Sequence, residues 1–217
     1  MKKILICIVL TFAVASLTYA QKMKLGLLVY GGGGDWYANP TALKNLARFA
    51  NQQLGTQFEA GESQVEVGSR DLFNHPIVFA TGHGRISFSD QEAQNLRVYL
   101  EGGGFLHIDD NYGMDKYIRP AFKKVFPELD FVELPFSHPI YQQSFTFSNG
   151  LPKIHEHDGK PARGFGLIHK GRVVVYYTME TDLNDGWEDP DVHNDPEEKR
   201  LLALKMGCNI IQYAFMK

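Results

Sequence analysis

The sequence of 217 residues has only two cysteines, Cys7 and Cys208. Cys7 lies in an apolar N-terminal run that we expect to be cleaved off, which leaves one thiol and excludes an internal disulfide. The lack of cysteine pairs also excludes the common structural zinc sites. Because Cys208 lies in the apolar stripe of the last predicted helix, we expect a buried structural thiol rather than a nucleophile. The fold must therefore be stabilised by the packing of its core.

The sequence also lacks an excess of basic charge. Residues 21–217 contain 20 lysine and arginine residues against 25 aspartate and glutamate residues, so their net charge is −5. No stretch concentrates lysine and arginine into a basic stripe. Because proteins that bind nucleic acid usually carry such a stripe, we predict that nucleic acid is not a partner.

One long apolar run is present, at residues 4–17. Two lysines precede it, and the segment that ends at Ala20 has small residues at the positions that a signal peptidase reads. The run is shorter than the roughly 20 apolar residues that a membrane span needs. We therefore predict a signal peptide at residues 1–20 and one exported domain at residues 21–217, periplasmic or secreted, with no transmembrane span after cleavage. An uncleaved membrane anchor is the alternative.

Segments with strand and helix periodicity alternate along the first two thirds of the chain, and a strand-rich stretch and a closing helix follow. This order predicts a three-layer α/β domain in which helices flank a mostly parallel sheet. A strand-rich insertion is expected at about residues 135–171. The predicted strands are residues 23–30, 64–67, 77–80, 105–108, 131–134, 144–147, 164–168 and 172–178.

Capping residues predict where the first two helices begin and end. Asn39 and Pro40 are typical of the first positions of a helix, and this helix should end at Gly55. Ser89 and Glu92 have the spacing of a capping box, in which each residue bonds to the backbone of the other.

Two further helices are predicted in the second half of the chain. The helix around residues 117–126 contains Pro120, which favours a late start or a kink. The closing helix begins after Asp195 and should bury one apolar face. That face comprises Leu201, Leu204, Cys208, Ile211 and Phe215.

Two adjacent carboxylates, Asp109 and Asp110, follow the strand at residues 105–108. We expect them in a loop at the carboxyl end of the strand, where open α/β sheets bind ligands. With His83 they are candidate general acid–base groups, although only one should face the pocket; capping the next helix is the alternative. His107, inside the strand, is expected to be an internally bonded core residue. The predicted ligand site comprises Asp35, Trp36, Tyr37, His83, Asp109, Asp110, Asn111, Asp185 and Trp187.

The only two tryptophans, Trp36 and Trp187, lie in loops rich in glycine and aspartate. An indole beside carboxylates suits stacking on a sugar ring. The alternative is that each indole fixes its loop onto the domain, with its N–H bonded to a carboxylate. The four glycines at residues 31–34 form either an anion-binding loop or a sharply turned one, and their spacing does not fit a nucleotide site.

Residues 155–158 contain metal-binding residue types, with His155 and His157 as candidate ligands of a divalent metal. Neither H-E-x-x-H nor a cysteine pair is present, so no zinc signature is met. The acidic segment at residues 182–195 either binds a divalent cation or forms a solvated loop. The competing ligands are His83, Asp109 and Asp110.

Five strings stand out along the chain, namely GGGGDWY (31–37), TGHG (81–84), GGFLHIDDNYG (103–113), LPKIHEHDG (151–159) and DGWEDP (185–190). Together they resemble the DUF4159 family of exported bacterial proteins, and the likeness extends over about residues 24–215. The resemblance implies a fold similar to class I glutamine amidotransferase-like domains. Residues 88–105 also look like the helix–strand unit of ThuA-like proteins. The family is one of unknown function, so the resemblance implies a fold rather than an activity.

A glutaminase is excluded, because its mechanism needs a cysteine at the turn after the strand, where this chain has two aspartates. Our first hypothesis is an exported domain that binds a small polar ligand, plausibly a carbohydrate or glycan, at the carboxyl end of the sheet. The alternative is a hydrolase that uses His83 or an aspartate as general base, with or without a divalent metal. The second alternative is a structural component of an envelope assembly with protein partners.

Overall fold

The computed structural model describes residues 22–216, so the predicted signal peptide at residues 1–20 lies outside the described residues. The order of elements is β1 (Leu25–Val29), α1 (Ala42–Leu54), β2 (Glu62–Glu66), β3 (Ile77–Ala80), α2 (Asp90–Glu101), β4 (Phe105–Asp110), α3 (Asp115–Val125), β5 (Phe131–Glu133), β6 (Arg163–His169), β7 (Arg172–Met179), α4 (Leu183–Trp187), α5 (Pro190–His193) and α6 (Glu197–Ala214). Within residues 22–216, every helix is too short or too polar to cross a membrane.

The seven strands form one sheet in the order β2-β1-β3-β4-β7-β6-β5. The first five strands of this order are parallel, and β6 and β5 are antiparallel to their neighbours. The prediction of a mostly parallel α/β sheet is therefore confirmed. The direction of winding reverses between β1 and β3, which is the topological switch point of such sheets.

Helices cover both faces of the sheet, which gives the three predicted layers. Leu27 and Phe79 face one apolar cluster, to which α1 and α6 contribute. Leu28 and Val78 face the other, which contains residues of α2 and α3. Because successive residues of a strand point to opposite faces, strands buried on both sides are apolar throughout, as β3 is.

The capping box of α2 is confirmed, since Ser89 Oγ accepts the Glu92 amide and Glu92 accepts the Ser89 amide. Gly55 ends α1 in a left-handed conformation, with φ of 68°, as predicted. The predicted start of α1 is wrong, because the helix begins at Ala42 after Thr41. The side chain of Asn39 does not cap the helix and bonds to distant residues instead.

The predicted late start of α3 is wrong, because the helix begins at Asp115 and includes Pro120. The carboxylate of Asp110 accepts the backbone N–H groups of Met114 and Asp115. These bonds satisfy amides that a helix start leaves unpaired, which stabilises the start ahead of the proline.

Only one of the two strands predicted at residues 135–171 forms, namely β6. Residues 144–147 make an isolated bridge and no strand, so that prediction is wrong. The Phe145 amide and carbonyl both bond to Asn209 of α6, and the Ser144 amide bonds to Gln212. Side chains of α6 thus form the hydrogen bonds with this backbone that a neighbouring strand would otherwise form.

Helix α6 begins at Glu197, one residue after the predicted start, and the predicted cap at Asp195 is wrong because Pro196 is the N-cap. The buried face of α6 also differs from the prediction. Leu201 and Phe215 are 38% and 48% exposed, while Ala203, Met206 and Ile210 are buried. Cys208 is buried as predicted, and burial raises the pKa of its thiol to about 12. A thiol that stays protonated is a poor nucleophile, which agrees with a structural role.

Candidate functional site

The carboxyl ends of β1, β3, β4 and β7 lie along one edge of the sheet, which we call the carboxyl edge. Asp109 and Asp110 are the last residues of β4 and pair with Thr178 and Met179 of β7. Their predicted position in a loop is therefore wrong. The pairing between β4 and β7 includes both aspartates, because β7 extends equally far beside β4.

Asp109 is fully buried and its carboxylate is used internally. Oδ1 accepts the hydroxyls of Thr178 at 2.6 Å and Thr181 at 2.8 Å, and Oδ2 accepts the backbone N–H of Asn184 at 2.8 Å. Burial raises its pKa to about 6, although these hydrogen bonds act in the opposite direction. Asp109 thus fixes the start of α4, and its burial contradicts its predicted role as a catalytic residue.

Asp110 has a helix-capping role, the alternative that the sequence left open. Besides the amides of Met114 and Asp115, its carboxylate accepts the hydroxyl of Tyr177 at 2.9 Å. Burial raises its pKa. The side chain is 4% exposed and reaches the wall of a cleft.

Asp35 and His83 meet at the switch point between β1 and β3. Asp35 Oδ2 lies 3.0 Å from His83 Nδ1, and Oδ1 accepts the His83 backbone N–H. The imidazole is half-exposed. A carboxylate that orients an accessible imidazole is an arrangement that general bases use.

The glycine run at residues 31–34 is a sharply turned loop, the second of the two alternatives. Gly34 donates to the carbonyl of Arg85, and the Ser87 amide donates to Gly31. A Cβ atom at Gly34 would lie 2.7 Å from the Arg85 carbonyl oxygen, so only glycine permits this approach. Some of the backbone N–H groups that an anion would need are therefore already hydrogen-bonded within the protein.

The two tryptophans differ in their surroundings. Trp187 is fully buried and its Nε1–H donates to the Ala203 carbonyl at 2.8 Å. Its predicted stacking on a ligand is therefore wrong, and its bond goes to the backbone rather than to a carboxylate. Trp36 is partly buried and packs against both apolar clusters, while its neighbour Tyr37 is 62% exposed.

A buried polar network lies beneath the carboxyl edge. Asn39 Nδ2 donates to Asp185 Oδ1 at 2.6 Å, and Asn111 Nδ2 donates to the same oxygen at 3.1 Å. The hydroxyl of Thr81 lies 2.8 Å from Asn39 Oδ1 and 2.9 Å from Asn111 Oδ1. Sequence analysis missed Asn39 and Thr81; the amide of Asn39 gave no signal beyond its cap-like position.

The most concentrated group of titratable side chains is the acid–histidine cluster, which consists of His155, Asp182, Asp185, His193 and Asp195. His155 is its centre: Nδ1 lies 3.0 Å from Asp185 Oδ2 and 3.3 Å from Asp182 Oδ2. Its Nε2 lies 3.1 Å from both oxygens of Asp195. His193 Nε2 lies 3.7 Å from Asp185 Oδ1.

The two predicted metal ligands both contact Asp182: His157 Nε2 lies 2.6 Å from its Oδ2, on the side of the cleft, and His155 Nδ1 lies 3.3 Å from the same oxygen. His155 also shares Asp185 with His193. His83, Asp109 and Asp110 are bonded elsewhere and do not join this group.

Asp182 joins the cluster to the cleft. Its side chain is buried, its backbone is left-handed with φ of 53°, and its Oδ1 has no hydrogen-bond partner. Burial, followed by repulsion from Asp109 and Asp185, raises its pKa to about 9. Strained, unsatisfied carboxyl groups of this kind concentrate at functional sites.

A cleft of about 560 Å³ opens at the carboxyl ends of β4 and β7. The Tyr112 ring lies 4.8 Å from that of His157, and its hydroxyl donates to Asp158 at 3.0 Å. The Tyr112 carbonyl accepts the Gly84 amide, which places the cleft beside the His83 loop. The residues that line the cleft are Asp110, Tyr112, Gly113, Asp115, Lys116, His157, Asp158, Lys160, Arg163, Met179 and Glu180.

Comparison with protein families gives a match to the family described as "Domain of unknown function (DUF4159)", over residues 24–215. The chain belongs to this family. A comparison with curated proteins found no match. Four of the five strings that suggested DUF4159 contribute contacts at the carboxyl edge, through Asp35, His83, Tyr112 and His157. The fifth contributes Asp185 to the network beneath it.

Proposed function

We propose that this DUF4159 domain binds a small polar ligand, with carbohydrate as the favoured class, in the cleft beside β4 and β7. The observation that carries the proposal is the convergence of polar side chains from β4, α3, β6 and residues 157–160 on one cleft at the carboxyl edge. Concave sites with convergent polar groups are the usual form of small-molecule sites, and this edge is where open α/β sheets bind ligands.

The charges of the cleft favour a neutral, hydroxyl-rich ligand. Lys160 pairs with Asp158 at 3.0 Å, and Arg163 pairs with Glu133. An anionic ligand would have to displace these two carboxylates from their cations, and among the described residues that line the cleft only Lys116 offers a positive charge besides them. Hydroxyl groups both donate and accept, so they fit a wall on which donors and acceptors alternate.

Tyr112 offers the aromatic surface that the sequence assigned to the tryptophans. It is 48% exposed, and its ring is fixed by the contact with His157 and the bond to Asp158. An amphipathic ring of this kind can cover the apolar face of a sugar while its hydroxyl stays bonded.

Isothermal titration calorimetry with glucose, N-acetylglucosamine, glucuronic acid and their short oligomers tests the proposal. We expect one of these probes to bind and Tyr112→Ala to weaken binding by about tenfold or more, because a stacking surface is lost. Phe73→Ala is the matched control, since Phe73 is an aromatic residue with the same exposed fraction, 48%, and does not line the cleft. Absence of binding, or equal effects of the two variants, would contradict the proposal.

A hydrolase is the second candidate, and the pair formed by His157 and Asp182 favours it. The imidazole lines the cleft, and the buried carboxylate lies 2.6 Å from its Nε2. Because the pKa of Asp182 is raised to about 9, such a pair holds a proton that it can donate to a leaving group as a general acid. We expect turnover of p-nitrophenyl esters and glycosides that is lost in His157→Gln. It should be kept in His138→Asn, because His138 lies outside the cleft and the acid–histidine cluster, where its Nδ1 accepts the Ile140 amide. No turnover of any of them would exclude this candidate for those substrates.

We further propose that the chain acts outside the cytoplasm, on the basis of the signal-like pattern of residues 1–20. Expression of the full chain should yield a protein in the periplasm or medium whose first residue is Gln21. Recovery of the uncleaved chain from the membrane fraction would favour the anchor instead. Envelope protein partners stay a prediction from the sequence.

A further inference from the structure

The acid–histidine cluster lies beside the proposed ligand cleft but does not line it, apart from the contact between Asp182 and His157. Its side chains come from α4, α5 and the segments around residues 155 and 195, which are far apart in the sequence. We propose that this cluster binds one divalent transition-metal ion through His155, Asp185 and His193.

The donor atoms are close to the geometry that an ion requires. One ligand atom from each of the three residues lies within 4.8 Å of the others. Donors that each lie about 2.1 Å from an ion are about 3.4 Å apart in a tetrahedral site, so the widest separation needs to shorten by at most about 1.4 Å. His193 is exposed on the short helix α5, where such a movement disturbs little packing.

The hydrogen bonds of His155 orient it as a ligand. Asp195 lies 3.1 Å from Nε2 through both oxygens, so it accepts the N–H of that nitrogen and fixes the plane of the ring. This leaves Nδ1 facing Asp185 Oδ2 at 3.0 Å, where an ion that replaces a proton would be bound by both atoms. A carboxylate behind a histidine is the usual outer shell of a metal site.

The carboxyl group of Asp182 is a second observation that points to a cation. Its Oδ1 is buried without any hydrogen-bond partner, next to the carboxylate oxygen that contacts His155. Among residues 22–216, no lysine or arginine forms an ion pair with Asp182, Asp185 or Asp195. An unsatisfied buried carboxyl oxygen costs free energy whether or not the group is ionised, and a divalent ion beside it would offset that cost.

The donor set indicates the class of metal. Two imidazole nitrogens and one carboxylate suit Zn²⁺, Mn²⁺ or Fe²⁺, whereas Mg²⁺ and Ca²⁺ prefer oxygen ligands alone. The second oxygen of Asp185 is held by Asn39 and Asn111. These bonds fix the carboxylate in the way that outer-shell groups fix metal ligands.

Metal analysis of protein purified after expression of the full 217-residue chain tests the proposal. After incubation with ZnSO₄ and dialysis, inductively coupled plasma mass spectrometry should find about one zinc ion per wild-type chain. Titration calorimetry with ZnSO₄ should show at least about tenfold weaker binding in His193→Ala and Asp185→Asn, and none of this loss in His138→Asn. MgCl₂ should give no saturable heat.

Folding of the variants is checked without metal, by circular dichroism and thermal melting. His193→Ala should fold, because its side chain is at the surface, and ZnSO₄ should raise the melting temperature of the wild type but not of this variant. Zinc at much less than one ion per wild-type chain overturns the proposal. So does stoichiometric zinc that His193→Ala and Asp185→Asn both retain, because it would then be held elsewhere.

Discussion

His107 is a histidine whose surroundings keep it uncharged. It lies in the middle of β4, fully buried among the rings of Phe79, Tyr176 and Trp187, and its Nε2 lies 3.1 Å from the Thr178 hydroxyl. The sequence-based interpretation as an internally bonded core residue is confirmed. Burial lowers its pKa from 6.5 to about 3.

This shift predicts a specific sensitivity to acid. Between pH 6.5 and pH 3 the unfolded chain binds a proton on His107 that the folded chain does not bind, so stability falls as the pH falls through this window. From pH 6.5 to pH 4.5, the wild type should lose about 2–3 kcal/mol relative to His107→Gln, which has no proton to bind. Urea unfolding of both proteins at the two pH values measures this difference. A constant difference would show that His107 does not titrate as expected.

At the level of single elements, Asp110 links the end of β4 to the start of α3. Its carboxylate accepts two backbone amides and the Tyr177 hydroxyl in a buried position. Loss of the carboxylate leaves three donors without an acceptor.

We therefore expect Asp110→Ala to lower the free energy of unfolding by about 2–4 kcal/mol. Asp115→Ala is the control, because its exposed carboxylate only pairs with Arg119 and should contribute less than about 1 kcal/mol. Chemical denaturation of the two variants compares these values. Similar losses in both would mean that the cap contributes little beyond an ordinary surface charge.

Sequence patterns predicted the elements that depend on local chemistry. The capping box at Ser89, the left-handed end at Gly55 and the buried strand β3 all follow from neighbouring residues. The failures have distant causes. Residues 144–147 have strand periodicity, but their backbone bonds to α6, and Asn39 has a cap-like position, but its amide bonds to Asp185.

At the scale of the whole molecule, the sequence located the candidate site at the correct edge of the sheet but did not identify which residues form it. Parallel strands have their carboxyl ends at one edge of the sheet. From this rule, the sequence correctly predicted that Asp35 lies near His83 and that Asn111 lies near Asp185. The same rule cannot tell which side chains lie at the surface of that edge. Trp187 and Asp109 are buried beneath it, and Tyr112 was absent from the predicted site although it lines the cleft.

Asn39 joins parts of the chain that are up to 146 residues apart, because it bonds to Thr81, Asn111 and Asp185. We expect Asn39→Ala to cost about 1–3 kcal/mol and to speed amide hydrogen exchange at residues 81–83 and 183–187 together. Asn51→Ala is the matched control, since Asn51 also makes three bonds but only to residues within seven positions. Faster exchange around residue 39 alone would show that the network does not couple these segments.

Because Cys208 is buried, the reactivity of its thiol reports how often the molecule opens. In a chain that begins at Gln21 it is the sole sulfhydryl, and it is enclosed where α6 packs on the sheet. A thiol-specific dye can modify Cys208 only after α6 has detached, so the labelling rate measures how often α6 detaches in solution. If that rate equals the one predicted from global unfolding, α6 detaches only when the whole domain unfolds; if it is faster, α6 separates from a sheet that is still intact.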